Sequence, residues 1–130
     1  MKSYVIDTHA LLWFLTKSES LSEKSRKILL QTQSNDIQIL ISTIVLSEII
    51  YILNKKKIQI DINDFLNLIS KSTTYRIVPF DLPVFKEMLN LPNHLEMHDR
   101  IIAATSIYYK SPLISKDREL HHLRDLKVVW

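Results

Sequence analysis

A short apolar run followed by a stretch of helical periodicity recurs along this chain, and that alternation leaves few folds open. Tyr4 to Asp7, Ile37 to Ser42, Tyr75 to Phe80, Pro112 to Lys116 and Val128 to Trp130 have the length and apolar character of buried strands. Pro79 weakens the third of them near its end. Helices are expected over His9 to Thr16 and from about Ser22, where Ser20-x-x-Glu23 has the pattern of a capping box. Thr43 opens another through "IVLSEIIYILNKKK", and Asp61 a fourth through "INDFLNLISKS". Leu82 to Leu91 carries Pro83 in its first turn, Asp99 begins "RIIAATSIYYK", and Arg118 to Leu123 is a turn of helix. Strands alternating with helices predict a single α/β domain over residues 1–130, a three-layer α/β/α sandwich around a mainly parallel sheet.

Composition removes several function classes. Glycine is absent from all 130 residues, so neither a P-loop nor a dinucleotide fingerprint can be built. Cysteine is absent too, which excludes disulfides and thiolate metal sites and fits a reducing, cytoplasmic setting. No apolar run approaches the roughly 20 residues that span a bilayer, and the first residues lack the pattern of a signal peptide. A formal net charge of +3 permits a polyanionic partner without requiring one.

Ligands of parallel sheets bind beyond the carboxyl ends of the strands, and two acids fall there. Asp7 ends the first strand, and Asp117 follows the apolar run "PLIS". Glu48 interrupts "TIVLSEIIYIL" on the face shared by Ile44 and Ile52, so it is expected to be at least half buried. Asp99 stands at the start of a helix with a core-facing stripe. Each acid has an ordinary alternative. Asp7 and Asp99 are good helix caps, and Asp117 could be a surface turn residue paired with Lys116 or Arg118. Glu48 resists such a reading, because a carboxylate on an apolar stripe needs a partner. Four carboxylates drawn together repel one another unless a divalent cation sits among them, and hard oxygen donors suit Mg²⁺ or Mn²⁺. Such an ion polarises a phosphodiester and delivers hydroxide to it.

"VIDTHALLWFL", "STIVLSEI", "HDRIIAAT" and "LISKDREL", in this order and at these separations, resemble the PIN-domain ribonucleases, and among them the VapC toxins of bacterial toxin–antitoxin modules. The resemblance extends from Tyr4 to Trp130. It implies a Mg²⁺- or Mn²⁺-dependent endoribonuclease, with a VapB-like antitoxin whose C-terminal segment occupies the active groove, and often a homodimer. Asp7, Glu48, Asp99 and Asp117 match the family's four acids, with Asp7 and Asp99 as direct metal ligands and Glu48 and Asp117 acting through water or on a second ion. Thr8 and Ser115 match positions where a hydroxyl is kept near the acids. "HLEMHDR" departs from the family's common "H-x-D-P-x-D-R": Glu96 stands for an aspartate, Met97 for a proline, and His98 is an added imidazole.

The remaining candidates have plainer readings. Glu96 is expected to be an exposed loop acid, His9 a satisfied structural histidine, and His98, His121 and His122 solvated. Arg100 is expected to pair with a nearby acid. Lys55 to Lys57 end a helix, where cations suit the dipole, or else track phosphates. Trp13 and Phe14 pack their helix or stack on a base, and Ile49, Ile50, Tyr51 and Leu53 are core or a partner surface. Two further functions compete with the nuclease: a non-catalytic PIN-like module that binds RNA or protein, and a phosphatase using Asp7 as nucleophile. The second is weakened by His9, which stands where such enzymes usually carry another aspartate.

Overall fold

The computed structural model describes residues 2–31 and 36–130. Among them the chain runs β1 (Lys2–Ile6), α1 (Thr8–Leu15), α2 (Glu23–Leu30), β2 (Ile37–Ser42), α3 (Thr43–Lys56), α4 (Ile62–Lys71), β3 (Tyr75–Val78), α5 (Leu82–Met88), α6 (Met97–Tyr108), β4 (Leu113–Ile114), α7 (Arg118–His121) and β5 (Val128–Val129). The strands form one sheet in the order β3-β2-β1-β4-β5, and every pairing is parallel. Helices cover both faces, which makes the α/β/α sandwich expected from the alternation of elements. Val5, Ile6, Ile39, Ile41, Leu113 and Ile114 are completely shielded from solvent, so the middle strands carry apolar side chains on both faces. No helix among the described residues is long and apolar enough to cross a membrane.

Strand order fixes where a ligand can enter. The chain leaves β1 toward β2 and β3 on one side, then returns to place β4 on the other. The crevice between β1 and β4 is therefore the topological switch point, and it opens at their carboxyl ends. Val5 pairs with Leu113 and Ile6 with Ile114, so the residues just past both strands come out side by side. Asp7 donates its backbone N–H to the Ile114 carbonyl at 3.1 Å, carrying the pairing one step beyond β1.

Helix α2 starts where the sequence reading put it, but its cap differs, and so does the start of α6. Ser22, not Ser20, caps α2: its hydroxyl accepts from the Ser25 N–H at 3.1 Å. Asp99 does not begin α6. Glu96 caps that helix, accepting from the N–H groups of His98 at 2.9 Å and Asp99 at 3.2 Å. The longer glutamate chain reaches back over the first turn, which leaves the Asp99 carboxylate free of capping.

Candidate active site

Asp7 lies at the switch point and does two jobs at once. Its Oδ1 accepts from the Ala10 N–H at 2.8 Å and so caps α1, while the side chain lines a cleft at the carboxyl edge of the sheet. Burial pushes its carboxyl above the ordinary range and Asp117 adds to this; the Ser115 hydroxyl, the Ala10 N–H and His9 pull the other way. Ser115 directly follows β4, is fully buried, and accepts from the Asp117 N–H at 3.1 Å. One hydroxyl thus holds two acids in relation to each other.

Glu48, Asp99 and Asp117 line the same cleft of about 570 Å³, together with Thr8, His9, Trp13, Glu96, Ile102 and Lys116. The four acids singled out in the sequence are brought together. Glu48 projects from the second turn of α3 with 25% of its side chain exposed, as its place on an apolar stripe required. The Thr8 hydroxyl donates to its Oε1 at 2.6 Å, and His98 Nδ1 lies 3.7 Å from its Oε2. Asp117 caps α7 through the Glu119 N–H at 2.9 Å and pairs with neither Lys116 nor Arg118. Asp99 is pushed up to about 7, by burial first and then by Asp117, Glu96 and Asp7.

Several supporting residues sit differently from expectation. Arg100 meets no acid: its guanidinium donates to the Met88 carbonyl at 3.2 Å and anchors α6 to the end of α5. Arg100 is half-buried, and its Nε is shielded from solvent without a hydrogen-bond partner. His98 is not simply solvated, since its Nδ1 stands 3.0 Å from Glu96 Oε1 as well as beside Glu48. His9 is exposed and lines the cleft, with its ring 5.7 Å from that of Trp13. Glu96 is exposed as expected, but it is a cap that also lines the cleft. Burial, the largest single influence on that carboxyl, pushes it up, but the N–H groups of His98 and Asp99 and the His98 ring together draw it below its usual range. His121 is tied by Nε2 to the Ser115 carbonyl at 2.8 Å. Lys55 to Lys57 lie outside the cleft lining, with Lys55 and Lys56 in the last turn of α3. Ile49 and Leu53 belong to the core, whereas Ile50 and Tyr51 face solvent.

No lysine or arginine among the described residues forms an ion pair with the cleft acids. Nor do any three His, Asp or Glu side chains there close into a complete metal cage. The cleft offers carboxylate and hydroxyl oxygens and the His9 imidazole, with no sulfur in its lining.

A family model for the PIN domain matches residues 4–126. The chain belongs to the PIN domain family. This PIN domain is similar in fold to VapBC2 from Rickettsia felis, solved bound to a DNA fragment from its promoter, with a TM-score of 0.74, 19% identity, and 98% of this chain and 97% of that chain covered. It is similar to a toxin–antitoxin complex from Klebsiella pneumoniae, with a TM-score of 0.68, 19% identity, and coverage of 98% and 96%. FitAcB from Neisseria gonorrhoeae matches with a TM-score of 0.62, 18% identity, and coverage of 96% and 95%. At these identities the likeness is one of fold. No curated protein matches the sequence of this PIN domain.

Proposed function

We propose that this PIN domain is a Mg²⁺- or Mn²⁺-dependent endoribonuclease, the toxin of a toxin–antitoxin pair. The observation that carries the reading is Asp7, Glu48, Asp99 and Asp117 gathered on one cleft without a lysine or arginine partner among the described residues. Repulsion of that kind is relieved by a bound cation. The carboxylate oxygens of these four acids fit a hard ion.

In this reading Asp7 and Asp99 hold the ion directly, and Glu48 and Asp117 act through water or on a second ion. A bound ion would supply polarisation of the phosphodiester and an ionised water. The chain supplies positioning: the Ala10 N–H and the Ser115 hydroxyl orient Asp7, and the Thr8 hydroxyl orients Glu48. Hydrolysis joins the water oxygen to phosphorus and breaks the bond from phosphorus to the 3′ oxygen, leaving 5′-phosphate and 3′-hydroxyl ends. Acting on cellular RNA, the protein would work in the cytoplasm.

The solved toxin–antitoxin relatives support a VapB-like antitoxin as partner. A homodimer belongs to the same proposal, and the exposed Leu82 and Phe85 of α5 with Leu89 at its C-terminal cap form an apolar face that such a contact would cover. Asp7→Asn is expected to abolish Mn²⁺-dependent cleavage of total RNA while the circular dichroism spectrum stays that of the wild type. Undiminished cleavage by that variant, or by the wild type in excess EDTA, would overturn the assignment.

A further inference from the structure

A cleft faced by four carboxylates repels phosphates, so RNA bound for hydrolysis has to be held from beside the acids rather than by them. The cations are found next door. Lys116, Arg118, His121, His122 and Trp130 line a second cavity of about 420 Å³, with no Asp or Glu side chain in its wall. Lys116 lines the acidic cleft as well, so the two spaces adjoin. We propose that this basic, aromatic cavity is a subsite for single-stranded RNA, holding the nucleotide that flanks the scissile phosphate. The proposal rests on the nuclease reading and adds the path of the substrate to it.

Sequence places Asp117 between two cations at the boundary of the two spaces. In Lys116-Asp117-Arg118 the aspartate is turned to cap α7 and line the cleft, while both cations line the neighbouring cavity. Among the described residues neither Lys116 nor Arg118 enters an ion pair, so their charge is available to phosphate. Lys116 Nζ lies 5.8 Å from the Trp13 ring centroid, and Trp13 meets Trp130 edge-on at 5.8 Å. Cations interleaved with aromatic faces are what proteins that bind single strands use: charge tracks the backbone and rings stack on bases. The bond from His121 to the Ser115 carbonyl ties the wall of the cavity to the strand end that orients Asp7.

The test is binding of a fluorescein-labelled oligouridine 12-mer in EDTA, followed by anisotropy over a range of salt. The double variant Lys116→Ala/Arg118→Ala changes two exposed side chains, so folding is not at risk. It should bind about tenfold more weakly at low salt, and the slope of log K against log salt should fall by about 1.4, some 0.7 for each lost phosphate contact. Trp130 packs against the core, so the conservative Trp130→Phe is the control. It should bind within about twofold of the wild type, and Trp130→Leu several-fold more weakly. Trp130 lines this cavity and Trp13, the chain's other tryptophan, lines the adjoining cleft, so RNA should also quench the intrinsic fluorescence. A double variant with wild-type affinity and salt slope overturns the subsite, and Mn²⁺-dependent cleavage by the wild type in that case leaves the nuclease reading in place. A wild type that neither binds nor cuts RNA overturns both.

Discussion

Asp99 faces Asp117, Glu96 and Asp7 from the first turn of α6, and the sign of its effect on folding follows from that crowding. Its carboxyl moves from an ordinary 3.8 to about 7, so the folded protein holds a proton that the unfolded chain has already released between those values. Stability contributed by the protonated form is complete below the unfolded value and is lost as pH rises through the folded one. In EDTA the melting temperature is therefore expected to fall from pH 4 toward pH 7, and buried Asp7, also raised, adds in the same direction. Asp99→Asn removes the titrating group and should flatten that decline. A wild-type curve that rises across the interval, or one that Asp99→Asn leaves unaltered, would contradict the electrostatics assigned to the cleft. Only Glu48, on an apolar stripe, resisted an ordinary reading; Asp7, Asp99 and Asp117 also read as caps or a turn residue, and their joint placement with the resemblance to PIN-domain ribonucleases pointed to all four. The role of Glu96 was hidden for a physical reason: glutamate is not among the preferred caps, and only its reach to the His98 and Asp99 N–H groups makes it one here.

At the scale of elements, a chain without glycine must still end its helices, and lysine does the work. Lys17, Lys57 and Lys110 have φ of 54°, 54° and 51°, and each lies at or just past the end of α1, α3 or α6. The left-handed region brings Cβ close to the following carbonyl, a strain of about 1 kcal/mol for such a residue. Lys57→Gly is thus expected to raise stability by about 0.5 kcal/mol, the relieved strain being partly offset by the greater freedom of glycine in the unfolded chain. Urea titration would measure it, and a destabilised variant would count against the strain. The positions of helices and strands were legible from periodicity, while their exact ends followed local competition. Ser20 and Ser22 both precede α2 with suitable side chains, and spacing could not tell that Ser22 would take the Ser25 N–H.

For the whole molecule, alternation of elements revealed a parallel sheet but not its order, and the order decides the site. Placing β4 beside β1 brings Asp7 next to Ser115 and Asp117 from the far end of the chain. It also carries Trp130 to Trp13 and so builds the basic cavity, which no local signal in α7 or β5 announced. Because the acids come from β1, α3, α6 and the β4–α7 connection, a cation bound among them would link parts of the fold that unfolding separates. Binding confined to the folded state stabilises it by RT ln(1 + [L]/Kd), about 1.4 kcal/mol at ten times Kd. For a domain of this size that is a rise of roughly 5 °C in melting temperature. Millimolar Mn²⁺ at pH 7.5 is expected to raise the melting temperature of the wild type by that order and to leave Asp7→Asn nearly unmoved. A wild type indifferent to Mg²⁺ and Mn²⁺ would favour a PIN domain that binds RNA or protein without cutting, since carboxylates that recruit no cation only oppose a phosphate.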